Sequence, residues 1–214
     1  MKFAAAIIGL AGAANAAATS FADLGNGMYT IPLVNNQMDF THAIRDPYNI
    51  THSAADYVAS LNSTGGGVAP RGQPGTCVPQ FPTRGTFCRP RKIQRVDYLR
   101  AYAKYLDWIE TGPDEGWIPK HSCKSLVWGL VVVSACSSGG RNPTCREELV
   151  EAMRELDAYC AETAGGDIKI GRWKKRYSRH NIRDGDDLLE VDGAADEQDA
   201  DEGQEQGEEQ GKQE

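Results

Sequence analysis

Cations alternate with aromatic side chains between residues 169 and 183. Positive charges hold phosphate, sulfate or carboxylate groups while flat rings stack on bases or sugars, so this pattern is typical of polyanion binding. The alternative is a solvated strand edge, whose lysines deter edge-to-edge pairing while Trp173 and Tyr177 pack inward. The candidate binding residues are Arg172, Trp173, Lys174, Lys175, Arg176, Tyr177 and Arg179.

Histidines and neighbouring acids are the candidates for general acid–base chemistry. His121 and His180, with Glu147 or Glu148, would build a ribonuclease-like site if the fold brought them together, but their spacing does not require it. The chain contains no Gly-x-Ser-x-Gly elbow, His-Glu-x-x-His motif or phosphate loop. We therefore expect a non-catalytic protein without a cofactor, and keep a small secreted hydrolase such as a ribonuclease as the alternative.

An even number of cysteines indicates a disulfide framework in an oxidising compartment. Metal binding is not expected, because no Cys-x2-Cys pair occurs and the histidines are scattered. The six cysteines are Cys77, Cys88, Cys123, Cys136, Cys145 and Cys160.

The pattern of apolar residues predicts an alternation of helices and strands, and so an α+β domain with two main helices on a short antiparallel sheet. Residues 92–109 and 146–160 have the periodicity of amphipathic helices. Thr144 and Glu147 have the spacing of a capping box for the second helix. Residues 126–135 form an apolar, β-branched run that predicts one buried strand, and residues 167–171 alternate as a half-buried strand does.

The same spacing suggests which cysteines meet. Cys123 and Cys136 flank the predicted strand, and Cys145 and Cys160 flank the second helix. If this helix folds back on the strand, Cys136 lies near Cys145 and Cys123 lies near Cys160. Cys77 would then pair with Cys88.

The segment from 89 to 181 resembles a loose group of small secreted cysteine-rich fungal proteins, effector-like and killer-toxin-like. The resemblance rests on the sequences VVVSAC at 131–136 and SSGG at 137–140, a Cys-led helix from 145 to 160, and the closing Trp173 and Tyr177. It departs from the group's pattern at Ala161 and Ser178, where glycine is usual. The resemblance implies a compact, disulfide-stabilised module acting outside the cell, and it transfers no site residues.

The first residues predict export. Residues 1–16 combine a charged start, a short apolar stretch and a small-x-small cleavage site, as a signal peptide does. Asn49 and Asn62 begin acceptor sequences for N-glycosylation. No later run is long and apolar enough to span a membrane, so we expect a secreted, extracellular protein.

Charge divides the rest of the chain. Residues 17–183 carry 21 bases and 16 acids, whereas residues 184–214 carry 14 acids and one base. The acidic segment is predicted to be a disordered tail, either a solubility tail or a shield over a basic face. Residues 17–76 are predicted to be a glycosylatable arm or a pro-segment, with a strand at 29–34 and a short helix at 56–61. Residues 77–183 are predicted to be the disulfide-stabilised core. Lys175 and Arg176 form a dibasic pair where processing would remove the tail.

The function predicted from these features is a secreted interaction protein of effector or toxin type. Its partner would be a polyanion, a cell-wall polysaccharide or a host-surface protein, bound through the basic aromatic segment.

Overall fold

The computed structural model describes residues 17–48, 81 and 84–184. Two helices pack on one face of a curled antiparallel sheet, so the fold is α+β. The elements of the described residues are β1 (Gly27–Val34), β2 (Gln37–Met38), β3 (Ile44–Arg45), β4 (Gly85–Lys92), α1 (Arg95–Thr111), β5 (Trp117–Ile118), β6 (Ser122–Trp128), β7 (Val131–Ser137), β8 (Asn142–Pro143), α2 (Arg146–Cys160), β9 (Ala164–Ile170) and β10 (Lys175–Asn181). Short 3-10 turns lie at Phe21–Asp23, Phe40–His42 and Gly171–Trp173.

The main sheet has the strand order β2-β1-β6-β7-β10-β9-β4, with β3 also paired to β1. Each neighbouring pair is antiparallel. β5 and β8 form a separate two-stranded ribbon. β10 is therefore an interior strand of the described sheet, and β4 lies at one edge.

Side chains of successive strand residues point to opposite faces, so the sheet separates two cores. The helix-facing core joins Trp108 and Leu106 of α1 and Leu156 of α2 to strand residues such as Val133 and Ile168. The other core lies over β1, β6 and β7, and includes Phe21, Ile31, Phe40, Val127 and Val132. Residues 17–48, predicted to be an arm, supply β1 to β3 and much of this second core.

The apolar run 126–135 is a hairpin, and the prediction of one strand was wrong. β6 ends at Trp128, β7 begins at Val131, and Trp128 pairs with Val131 across the turn. Gly129 has a φ of 58° in this turn, a conformation that glycine adopts without steric cost. A glycine inside an apolar run was the signal for the turn.

The predicted helices are confirmed with one shift. The second helix spans the predicted residues, Arg146–Cys160, whereas the first spans Arg95–Thr111 because Lys92 ends strand β4. The capping box was wrong, since the N-cap of α2 is Cys145 and the Thr144 hydroxyl lies 3.3 Å from the Tyr177 hydroxyl. The strands predicted at 29–34 and 167–171 correspond to β1 and β9.

The disulfide pairing differs from the pairing that the cysteine spacing predicted. Cys123 pairs with Cys136 and Cys88 pairs with Cys160. Cys123 and Cys136 lie opposite each other across the β6–β7 hairpin. The prediction of a single strand had placed these two cysteines at its opposite ends. Cys145 is also disulfide-bonded, and Cys77 lies outside the described residues.

Other predictions also fall outside the described residues: the leader at 1–16, Asn49, Asn62, the helix at 56–61 and the tail after Asp184. Within the described part of the chain, no helix has the length and apolarity needed to cross a membrane.

Candidate anion-binding face

The predicted binding residues do not form one surface, because β10 directs them alternately to the two sides of the sheet. Lys175, Tyr177 and Arg179 face the helices and are buried. Arg176 faces the other side. The alternative of an exposed strand edge was also wrong, because β10 pairs with β7 on one side and β9 on the other. The same alternative also predicted that Tyr177 packs inward, and this part is confirmed.

Lys175 and Tyr177 share one buried carboxylate. Lys175 Nζ lies 2.6 Å from Glu148 Oε2, and the Tyr177 hydroxyl donates to the same oxygen. Burial lowers the pKa of Lys175, partly offset by Glu148. Burial raises the pKa of Tyr177 well above its ordinary value, and Glu148 adds to this rise. All three side chains are buried, so this cluster is part of the helix-facing core.

Arg179 joins β10 to both helices. Its guanidinium pairs with Asp157 of α2, donates to the Tyr98 hydroxyl of α1 at 3.0 Å, and donates to the backbone oxygens of Ala161 and Ala164. These contacts satisfy a side chain whose exposed fraction is 0%. Arg179 is therefore structural.

The turn before β10 leaves two of the predicted residues in solvent. Arg172 and Lys174 are exposed, whereas Trp173 is partly buried against the helix-facing core. The backbone oxygen of Lys174 accepts from the Ser138 amide at 2.9 Å, and that of Trp173 accepts from the Asn142 side chain at 2.8 Å. These bonds fix the turn against the loop that follows β7.

A small cleft opens beside this turn, on the side of the sheet away from the helices. It has an apolar floor and a cationic rim. Its lining residues are Leu33, Cys136, Ser138, Lys169, Lys174, Lys175 and Arg176. A Cβ on Gly139 would lie 3.1 Å from Lys174 Cδ, so glycine in this loop lets the lysine stem lie close to the backbone.

Arg176 lines the cleft, and its side chain is 10% exposed. Its Nε lies 3.3 Å from Asp167 Oδ1, and among the described residues its two terminal nitrogens have no hydrogen-bond partner. Asp167 is held more closely by Arg89, whose Nε lies 2.8 Å from Oδ2. The flat fork of arginine matches the oxygens of sulfate, phosphate or carboxylate.

Two further arginines continue this surface along the edge strand. Arg89 and Arg91 lie on β4, and Arg91 Nε is 3.2 Å from Asp184 Oδ1. Burial raises the pKa of Asp184, although Arg89 and Arg91 oppose the rise. Among the described residues, Asp167 pairs with Arg89 and Arg176, and Asp184 pairs with Arg91. We call the cations of this surface the basic face: Arg89, Arg91, Lys169, Lys174 and Arg176.

Sequence reasoning missed Arg89 and Arg91 as partners of Arg176. The available signal was that residues 87–91 alternate as strand residues do. Only the pairing of β4 with β9 and of β9 with β10 shows that these arginines lie near Arg176.

The histidine site of the ribonuclease alternative does not form. His180 pairs with Val132 in β7, whereas His121 precedes Ser122, which pairs with Ser137. His121 is therefore level with residue 138, just beyond β7 and about six residues from Val132, so at about 3.4 Å per residue the two histidines lie roughly 20 Å apart along the strand. Glu148 belongs to α2 and contacts the helix-facing side of the sheet, opposite the side on which His180 lies.

Comparison with protein-family models, with curated proteins and with solved structures finds no match to this chain.

Proposed function

We propose that this protein is a non-catalytic, extracellular binding protein of effector or toxin type that attaches to an anionic polysaccharide through its basic face. The observation that carries the proposal is the Arg176 guanidinium: its two terminal nitrogens have no hydrogen-bond partner among the described residues, and it lines a cleft together with Lys169 and Lys174. Two disulfides between described cysteines are compatible with an extracellular site of action.

The aromatic residues favour a polysaccharide over a single-stranded nucleic acid. Proteins that bind single strands present several exposed rings on which bases stack. Here Tyr177 is buried and Trp173 is packed against the helix-facing core. On β4, Phe87 is 39% exposed, which offers one ring beside the arginines. One ring suits a sugar contact better than a row of bases.

The affinity should depend on salt, because most cations of the basic face are at least partly exposed. Ion pairs between exposed charges weaken as the Debye length shortens from about 10 Å at 0.1 M salt to about 3 Å at 1 M. Binding of full-length protein to a heparin oligosaccharide, followed by isothermal calorimetry, should weaken as sodium chloride is raised.

Charge reversal tests the face directly. We expect Lys169→Glu combined with Lys174→Glu to weaken heparin binding by about tenfold or more, since two attractive charges become repulsive. The matched control is Arg100→Glu. Arg100 is an exposed cation on α1, which lies on the other side of the sheet from the basic face. Equal loss in the control, or undiminished binding in the double variant, would count against the basic face. Preference for a single-stranded oligonucleotide over heparin would reject the polysaccharide.

A further inference from the structure

His180 lies under the N-terminal segment, next to the basic face. Its side chain is 1% exposed, and neither ring nitrogen has a hydrogen-bond partner. The ring of Phe21 covers it, with centroids 5.2 Å apart. Buried polar atoms are normally hydrogen-bonded, so an imidazole with both nitrogens unsatisfied is an unusual and costly feature.

The surroundings of His180 favour its neutral form. Burial lowers the pKa of His180 well below its ordinary value, and the charges of Arg89 and Arg176 lower it further. The described charges that act on it are Arg89 of β4 and Arg176 of β10. Both arginines pair with Asp167 of β9, and Arg89 also acts on Asp184 after β10. Asp167 is already shared by both arginines, so a proton on His180 would add an unpaired cation to this cluster.

The segment that covers His180 is held by apolar contacts, and Phe21 is its most deeply buried residue. Among the described residues, the hydrogen bonds of residues 17–24 stay within the segment, with Thr19 and Ser20 bonded to the Asp23 carboxylate. Its fully buried side chain is Phe21, which packs on His180 and edge-on against Phe40 at 4.9 Å, while Ala18 and Leu24 are partly buried against the same core. Displacing the segment therefore breaks apolar contacts but no described hydrogen bond to the rest of the chain, and it admits water to His180.

We propose that residues 17–24 form an acid-released cover: protonation of His180 displaces Phe21 and exposes the histidine and the adjoining part of the basic face. This inference goes beyond the proposed function and adds a regulation to it. The open form binds a proton more readily than the closed form. Opening should therefore be rare above about pH 6.5, and its equilibrium constant should rise by up to about tenfold for each pH unit below that value.

Hydrogen exchange of full-length protein tests the cover without any ligand. After correction for intrinsic rates, amide protection of residues 19–24 should fall by about tenfold or more between pH 7.5 and pH 5.0. Protection of α1 should stay unchanged, which separates local opening from unfolding. His180→Leu should remove the pH dependence of residues 19–24, whereas His121→Leu, an exposed histidine at the other end of the sheet, should retain it.

Equal protection of residues 19–24 at both pH values, or the same pH dependence in His180→Leu, would overturn the proposal. Should His180→Leu fail to fold, His180→Phe serves the same comparison. Heparin binding measured at the same two pH values is a separate experiment. Acid opening without any heparin binding supports the cover and rejects the polysaccharide proposal, and heparin binding without opening does the reverse.

Discussion

Lys175 and Glu148 form an ion pair in the helix-facing core, and both side chains are at most 2% exposed. A buried pair adds little net stability, because desolvation offsets much of the attraction. Removing only one partner is costly, since the other charge then stays buried alone. Lys175 is thus a structural residue, although its place in a basic run suggested a ligand contact.

Replacing Lys175 tests this role. Lys175→Met should lower the free energy of unfolding by about 3 to 5 kcal/mol, because it leaves the Glu148 carboxylate buried beside Tyr177. The neighbouring Lys174→Met should change it by less than about 0.5 kcal/mol, since Lys174 is exposed. Urea denaturation measures both values. Recovery of stability in Lys175→Met combined with Glu148→Leu would identify the stranded charge as the cause.

The β6–β7 hairpin is the element on which the arrangement of the sheet depends. Its tight turn places Cys123 opposite Cys136 and brings β7 beside β10. The turn also contacts α1, because the Leu130 amide donates to the Asp97 carboxylate at 3.2 Å. Gly129 permits this close approach.

A side chain at Gly129 should destabilise the hairpin. A Cβ there would lie 2.2 Å from Asp97 Oδ2, in addition to the strain of a positive φ. We expect Gly129→Ala to cost about 1 to 3 kcal/mol of unfolding free energy. Gly140→Ala is the matched control, because no atom lies within 4 Å of its Cβ position. Thermal unfolding that ranks the two variants equally would contradict this account of the turn.

At the scale of the whole molecule, the disulfides join elements that differ in distance along the chain. Cys88–Cys160 ties edge strand β4 to the end of α2 over a separation of 72 residues, whereas Cys123–Cys136 spans 13 residues within one hairpin. A crosslink that closes a longer loop removes more entropy from the unfolded chain.

Removal of the two disulfides should therefore have unequal effects. On loop entropy, replacing both Cys88 and Cys160 by alanine should cost about 4 kcal/mol, and replacing Cys123 and Cys136 about 3 kcal/mol. Denaturant titration of the two double variants gives the order, and a non-reduced peptide map checks the pairing. A peptide joining Cys123 to Cys160 would contradict the fold described above.

The sequence alone determined the features that are encoded locally. The second helix follows from apolar residues at helical spacing, and strand β9 from the alternation around Ile168 and Ile170, because one turn of helix or a few strand residues suffices to set each period. The α+β class follows from their order. Gly129 also indicated a turn, but the apolar residues on both sides of it favoured a single continuous strand.

Only the tertiary structure decided which strands pair and which side chains share a face. The β10 cations alternate between the two sides of the sheet, and a strand pattern does not tell which set faces the helices. Arg176 meets Arg89 only because β9 lies between β10 and β4. Strand pairing joins residues far apart in the chain, so its register depends on the packing of the whole sheet and is not encoded in any short segment.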